Sequence, residues 1–409
     1  MKIRVGVIFG GESVEHEISI ITAIQAMNKM DEEKYEIIPI YITKDREWYT
    51  GDMLRDIDVY QDFNLIKNYG TNVVLYYKNG SYVLQKKNGL FKGTAKEIDI
   101  AFPIVHGTNV EDGVLQGYLQ TVGIPYVGSN VYASVAGQDK TIMKDIWKSG
   151  NLPMTKYTWF YDVDYKDNQE EVLKDISKLK YPLIVKPATT GSSVGISVCD
   201  DIESLKEGID DAIQYDSKII VEEVVENLKE VNIAVMGNYE YQKVSEIEEV
   251  ISGNKFLTYN DKYIGGGKGK VKGGVKIPTK GTSKGMASAN RKLPANLSKE
   301  LREEIETIGK EAFKLLGSSG NSRIDFLIDD KKNKVYINEI NSIPGSLAFY
   351  LWEAKDIDFT KVLDEMIQVG IKDYKKRSNK THSFNSNILQ GFAANGGAKG
   401  LKGAKGKLR

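Results

Sequence analysis

Two oxygen-bearing side chains, Glu339 and Asn341, stand two residues apart in the stretch YINEINSIPG (336–345). A strand sends positions i and i+2 to the same face, so both aim at one target. The segments RIDFLID (323–329) and KVYINEIN (334–341) flank the polar stretch DDKKNK and read as a hairpin. Pairing the strands about that turn places Asp325 close to Glu339. Arg323, Asp325, Glu339 and Asn341 are all odd-numbered and can share one face. Two carboxylates and an amide oxygen gathered together repel unless a cation sits among them. Mg²⁺ suits such oxygen ligands and is usually held by one or two carboxylates plus substrate phosphates. The plainer alternative, a solvated sheet face, fits poorly because Ile324, Phe326, Ile337 and Ile340 alternate with these residues.

Four further stretches carry possible chemistry. KPATTGSSVG (186–195) puts small residues between two apolar runs, where backbone N–H groups can approach an anion, with Lys186 supplying positive charge. It lacks the Gly-Lys-Ser/Thr order of a P-loop, and taken alone it also fits an ordinary Gly/Ser hairpin. Lys140, at the head of a helix, is a second candidate for phosphate, or simply a surface lysine. In VEEVVENLKEV (221–231), Glu222 and Glu230 bracket a bend, where they could accept hydrogen bonds from a ribose or an adenine, or form a solvated acidic edge. GGESVEHE (10–17) and HGTNVEDG (106–113) each place acids and a histidine in a loop after a strand, where open α/β sheets bind ligands. Glu15 there could hold an ammonium group. His16 and His106 are two of only three histidines.

The elements that must position these groups follow from periodicity. VGVIFGG (5–11), YEIIPIYIT (35–43) and IDIAFPIVH (98–106) are buried strands. The segment after Gly11 has helical spacing at Ile18, Ile21, Ala23, Ile24 and Met27, with Ser13 as a possible N-cap. Strands alternating with helices imply an α/β layer on a mainly parallel sheet. Helices are expected near 138–149, at 297–317 with Ser298 as cap and Gly317 as stop, and near 358–369. A loop over roughly 252–295 holds nine Lys/Arg, eight Gly and no acid between Lys262 and Lys292. Loops of that length are functional lids or disordered.

Composition bounds the rest. The 409 residues are 41% hydrophobic and 27% charged, with zero formal net charge, which describes a globular protein rather than a disordered one. From Lys372 onward ten Lys/Arg face one acid, Asp373. That basic tail could bind nucleic acid or, more plainly, be a solvated end. Cys199 is the single cysteine, which rules out an internal disulfide and thiolate metal sites. No signal-peptide pattern and no membrane-length apolar run are present, so a cytoplasmic protein is expected.

In order, GGESVEHEIS, HGTNVEDGVLQG, YVGS, DKTIMK, KPATTGSSVGIS, VEE, FLTYNDKY, SRIDF and NEINSIPG resemble the D-alanine–D-alanine ligase family of the ATP-grasp superfamily, over roughly residues 3–370. The resemblance implies a three-lobed α/β ATP-grasp fold with an N-terminal parallel-sheet domain. Its lobes would be 1–130, 131–225 and 226–375, followed by the basic tail 376–409. It further implies that Lys140 and Lys186 contact ATP phosphates, with Glu222 near adenine and Glu230 near ribose. Asp325, Glu339 and Asn341 would hold two Mg²⁺ ions, or Mn²⁺ in their place. Arg323 would stabilise the transferred phosphoryl group. Glu15, oriented by Ser192, would bind the first amino acid's ammonium, with His106 near its carboxylate. Lys262 and Tyr263 would belong to the closing loop. Partners would be amino-acid substrates, not nucleic acid or membrane, and the family is often dimeric. The implied reaction joins two amino acids, D-alanine to D-alanine for peptidoglycan synthesis, through an acyl phosphate.

Three departures from the family pattern stand out. Val110 replaces the usual glycine before Glu111-Asp112. The loop after Lys262 is longer and more basic. After Pro344-Gly345 the chain runs Ser346-Leu347-Ala348-Phe349-Tyr350-Leu351-Trp352, so either Ser346 or Tyr350 would have to serve the second substrate. D-serine, D-lactate or another amino acid is therefore an alternative acceptor. A nucleotide-binding regulator that recruits nucleic acid through its tail is a reading from a different class.

Overall fold

The structure is a computed structural model that describes residues 2–89, 93–191, 194–251 and 291–383. Two compact units make up the chain, Met1–Ile371 and Lys372–Arg409; the elements and residues that build the site all belong to the first. Ser192, Lys262, Tyr263, most of the Gly/Lys-rich loop and most of the basic tail lie outside the described residues.

The first sheet holds β1 (Ile3–Gly10), β2 (Tyr35–Ile42), β3 (Trp48–Thr50), β4 (Thr71–Lys78), β5 (Ser81–Lys86), β6 (Thr94–Ile98) and β7 (Ile100–Ile104), in the order β6-β5-β4-β3-β2-β1-β7. Strand β1 is parallel to both β2 and β7. Apart from Arg4 and Glu36 near the start of β1 and β2, these three are near-continuous apolar runs, as strands covered on both faces must be. The expectation of a mainly parallel sheet is corrected here, because β3 to β6 extend it antiparallel. A tight turn at Asn79 (φ 50°) and Gly80 (φ 89°) joins β4 to β5, and a two-residue Asn-Gly turn permits only an antiparallel return.

At the end of β1 a Cβ on Gly10 would lie 2.2 Å from the Ile42 carbonyl oxygen, so glycine is required for the chain to leave the sheet there. Helix α1 (His16–Met27) follows. Its N-cap is Glu15 rather than Ser13, because a turn in which Ser13 O accepts from His16 N delays the helix. Along the chain come α2 (Phe63–Tyr69), α3 (Val114–Val122), α4 (Val131–Gln138) and α5 (Lys140–Ser149). The last is capped by Asp139, whose Oδ1 accepts from Thr141 N and Ile142 N.

The second sheet is antiparallel, in the order β10-β9-β11-β8, from β8 (Tyr157–Tyr161), β9 (Leu183–Pro187), β10 (Ser197–Cys199) and β11 (Lys218–Glu223). Helices α6 (Asp162–Asp167), α7 (Gln169–Ile176) and α8 (Ile202–Ala212) belong to the same stretch. The third sheet, also antiparallel, has the order β14-β13-β12-β15-β16, from β12 (Leu228–Gly237), β13 (Gln242–Val250), β14 (Arg291–Lys292), β15 (Gly320–Asp329) and β16 (Lys334–Asn341). The end of the expected long loop is thus strand β14, paired to β13. Helix α9 (Lys299–Leu315) packs on this sheet. Its cap is Ser298, as expected, and the chain turns at Gly317 with φ 68°.

Each sheet has its own buried apolar cluster. The segment after β16 crosses back to the first one. Leu347, Leu351 and Trp352, beside and within α10 (Phe349–Glu353), join the core of the first sheet, as do Phe359, Val362 and Leu363 of α11 (Phe359–Ser378). Helix α11 is longer than the expected 358–369. Trp352 is fully buried and donates from Nε1 to Asn321 Oδ1 at 3.1 Å, while Asn321 Nδ2 donates to Leu347 O at 2.6 Å. This pair stitches the crossing segment to β15. Trp352→Ala is expected to cost about 3–5 kcal/mol in urea unfolding, the range for emptying a buried aromatic site. Trp352→Phe, which keeps the packing but strands the Asn321 oxygen, should cost about 1–3 kcal/mol.

Candidate active site

The third sheet carries a polar row across four strands. Glu248 on β13 pairs with Asn232 on β12, Asn232 with Asp325 on β15, and Asp325 with Glu339 on β16. All four line one cavity of about 290 Å³. In the next row Arg323 pairs with Asn341. The four residues expected to share a face therefore do so, though a bulge is needed to bring it about. Asp329 pairs with Lys334 and Phe326 with Ile337, and continuing that count would set Asp325 opposite Asn338. Asn338 is instead an extra residue, and the register slips by one to bring Glu339 opposite Asp325.

Asp325 is held by Arg323 through two bonds, Nε to Oδ1 at 2.7 Å and Nη2 to Oδ2 at 2.8 Å, and Asn341 Nδ2 lies 3.4 Å from Oδ2. Burial opposes the Arg323 charge, but Asp325 outweighs it and holds its pKa well above the ordinary value. Among the described residues no three His, Cys, Asp or Glu side chains are placed to hold a metal by themselves. The oxygen set here is two carboxylates and one amide, a number that suits a cation completing its shell with substrate phosphate.

Facing this row is a lysine cluster. Lys140 opens α5 and donates from Nζ to Thr190 O at 2.8 Å. Lys186, next to last in β9, lies 3.1 Å from Glu222 Oε1, while Lys144 lies 2.9 Å from Glu222 Oε2. Thr155 Oγ1 donates to the same Oε2 at 2.7 Å. Burial disfavours the Glu222 charge, yet Lys144 and Lys186 hold its pKa well below the carboxylate range. Burial lowers the pKa of Lys140 and of Lys144, with Glu222 and Glu339 opposing. The Glu222 carboxylate is thus spent on fixing two lysines. Lys144 was not among the expected site residues, although its spacing carried the signal. It lies one helical turn after Lys140 in DKTIMK, on the same face.

The third group comes from the ends of β1 and β7. Glu15 Oε2 sits 3.1 Å from where a Cβ on Gly107 would stand and 3.2 Å from one on Gly191, so three loops meet at this carboxylate. His106 is buried, its Nε2 is 3.3 Å from Thr22 Oγ1, and burial lowers its pKa against the opposing charge of Glu15. Glu111, also not among the expected residues, ties the loop to the crossing segment. Its Oε1 accepts from Ser342 Oγ and Ile343 N, both at 2.9 Å, and its Oε2 from Gly107 N at 3.0 Å. Val110 packs beside Gly11, where an added Cβ would come within 2.5 Å of its side chain. His16 is structural, bonded to Gly11 O at 2.6 Å and Tyr41 Oη at 2.9 Å.

Glu15, His106, Lys140, Lys186, Glu222, Glu230, Arg323, Asp325, Glu339 and Asn341 all line the same cavity. Ser346 and Tyr350 stand behind its wall. Ser346 N donates to Thr22 Oγ1 at 3.0 Å, and the Tyr350 hydroxyl donates to Glu248 Oε1 at 2.7 Å.

Residues 4–129 match the family described as D-ala D-ala ligase N-terminus, and residues 146–288 and 279–368 match D-ala D-ala ligase C-terminus. The chain belongs to the D-alanine–D-alanine ligase family. A D-alanine–D-alanine ligase of Thermosipho melanesiensis is 38% identical over 390 residues, covering 95% of this chain and 98% of that one. The solved D-alanine–D-alanine ligase from Coxiella burnetii superposes with a TM-score of 0.76 at 26% identity, covering 97% of this chain and 99% of the other. The VanG D-Ala:D-Ser ligase from Enterococcus faecalis gives 0.72 at 26% identity, covering 90% and 100%. In this ligase family member the fold is accordingly ATP-grasp.

Glu111 offers a direct check on how the loops are joined. Burial, aided by the Glu15 charge, pushes its pKa from 4.5 up to about 7 against its three hydrogen-bond donors. The folded state then binds more protons than the unfolded state between these two values, so this group's contribution is present below pH 4.5 and lost as pH rises through 7. Glu111→Gln, which cannot titrate, should remove a loss of about 3 kcal/mol across that window. Urea unfolding of both proteins from pH 4.5 to 8 reads it as a difference in slope.

Proposed function

We propose that the protein is an ATP-dependent ligase that joins D-alanine to D-alanine for peptidoglycan synthesis in the cytoplasm. The observation that carries this reading is the opposition, across one cavity, of the Asp325–Glu339–Asn341–Arg323 face and the lysines Lys140 and Lys186. Such an arrangement suits a nucleotide triphosphate lying between the second and third sheets. Among the described residues no helix is long and apolar enough to cross a membrane.

A carboxylate is a poor electrophile. Phosphoryl transfer from ATP to the first amino acid's carboxylate gives an acyl phosphate and ADP; the second amino acid's amine then attacks the acyl carbon, and phosphate leaves. Lys140 and Lys186 neutralise phosphate charge as it shifts, and Lys144 keeps Glu222 in place to orient Lys186. Arg323 stabilises the phosphoryl group in transit. Glu15 holds the first amino acid's ammonium, with His106 near its carboxylate. Asp325, Glu339 and Asn341 would hold Mg²⁺, which when bound supplies charge stabilisation on the phosphate oxygens. Acyl phosphates hydrolyse readily, so the residues of the closing loop, Lys262 and Tyr263, and the orienting Ser192 keep their assigned roles as part of this proposal.

The acceptor could instead be D-serine or D-lactate; the VanG D-Ala:D-Ser ligase is a relative of the same fold that motivates that second reading. With ATP and Mg²⁺, D-alanine alone should release phosphate and yield a product with the mass of the dipeptide, and EDTA should abolish both. Phosphate release only when D-serine or D-lactate is added would overturn the D-alanine acceptor. Arg323→Met should lower kcat about 10²–10³-fold, the range for removing a transition-state donor.

A further inference from the structure

We propose that Arg291 anchors the carboxylate of the accepting amino acid, with Glu248 and Tyr350 as the residues that position it; this rests on the ligase reading above.

Arg291 lies on the edge strand β14 and lines the cavity. Its Nη1 is 3.2 Å from Glu248 Oε2. Its guanidinium carbon stands 4.7 Å from the centroid of the Tyr350 ring, so the ring fixes the plane of the group from one side. Its Nε is buried and has no hydrogen-bond partner among the described residues. Glu248, in contrast, is fully engaged: Oε1 accepts from Tyr350 Oη at 2.7 Å and from Asn232 Nδ2 at 3.1 Å, and Oε2 faces Arg291. A guanidinium carries five N–H donors. One goes to Glu248, and the others leave room for a carboxylate, whose geometry a guanidinium matches with two parallel bonds.

The charge layout favours this end of the cavity. Arg323 already gives two donors to Asp325. An acceptor must bring its amine to the acyl phosphate, near Arg323 and the Asp325–Glu339 pair, and keep its own carboxylate away from those acids. Glu248 lies two strands from Asp325 along the polar row, a separation of about 10 Å between backbones. Arg291, at that far end, is the cation the acceptor's carboxylate meets. Tyr350 belongs to the segment where the chain departs from the family, and its hydroxyl serves Glu248 rather than substrate. The specificity-determining residue is then the arginine that Glu248 and Tyr350 hold.

The test compares D-alanine with D-alaninamide as acceptor, with D-alanine as donor, scored by product mass. The wild-type enzyme should prefer the carboxylate acceptor by at least about 100-fold in kcat/KM, and Arg291→Met should reduce that preference at least tenfold by raising the acceptor KM. Arg291→Lys, which keeps charge but not the paired donors, should reduce it less. Tyr350→Phe should raise the acceptor KM a few-fold while retaining the preference. Equal losses on both acceptors in Arg291→Met, or an unaltered ratio, would overturn the proposal. Where Arg291→Met does not fold by thermal melt, an Arg291→Lys ratio equal to the wild type's overturns it instead. If the enzyme accepts a different amino or hydroxy acid, the ligase reading changes its acceptor. The Arg291 proposal is then judged on that acid against its own carboxamide.

Discussion

The site depends on one electrostatic problem: three carboxylates, Glu248, Asp325 and Glu339, stand in a single row across a sheet with only Asn232 among them. Adjacent strands are about 4.8 Å apart, a spacing at which like charges destabilise each other. The sheet tolerates the row because cations are brought to it from outside. Arg323 rises from the neighbouring row to hold Asp325, Arg291 reaches in from the edge strand to Glu248, and Lys140 at the start of α5 stands opposite Glu339. Removing any of these would leave a partly buried charge uncompensated, which costs far more than the pair contributes when whole. The oxygens of Asp325, Glu339 and Asn341 are the kind of set that suits a divalent ion, and the lysines opposite suit a polyphosphate.

A second constraint is that the groups lining the cavity come from different cores. Glu15, His106 and Glu111 belong to loops of the first sheet, and the acidic row to the third. Their relative placement is set by the crossing segment after β16. Glu111 grips Ser342 and Ile343, Thr22 grips Ser346, and Asn321 with Trp352 closes the other side. The loops that carry Glu15, His106 and Glu111 are therefore tied directly to residues one and two positions beyond Asn341.

Much of this was legible in the residues, for reasons that can be traced. The apolar strands, the Ser298 cap and the hairpin of β15 and β16 follow from local periodicity and turn chemistry. Parity placed Asp325 with Glu339 correctly, yet the turn's own register would have paired Asp325 with Asn338, and the bulge that reconciles the two has no local signature. Lys144 was visible as an i+4 neighbour of Lys140, but its ion-pair partner Glu222 is remote in sequence. Glu111 sat in a recognisable motif, but its partners Ser342 and Ile343 are more than 200 residues away. The antiparallel half of the first sheet was announced by Asn79-Gly80, a hairpin turn whose consequence for the sheet's order appears only when β3 and β6 find their neighbours.

The departure after Pro344-Gly345 has a conformational explanation. Ser346, Leu347 and Ala348 are consecutive non-glycine residues at φ 51°, 48° and 47°, a single left-handed turn. Such a conformation costs roughly 1–2 kcal/mol per residue, so about 3–6 kcal/mol must be offset locally. The offset is identifiable: Leu347 N bonds Pro344 O at 2.8 Å, Leu347 O accepts from Asn321, Ser346 N bonds Thr22, and the Leu347 and Ala348 side chains are buried in the first core. A right-handed turn here would send the chain off in a different direction and separate the Tyr350 hydroxyl from Glu248. The strained turn is thus what places an aromatic residue behind the acidic row, and the bond from Tyr350 links the departure in sequence to the far end of the cavity floor.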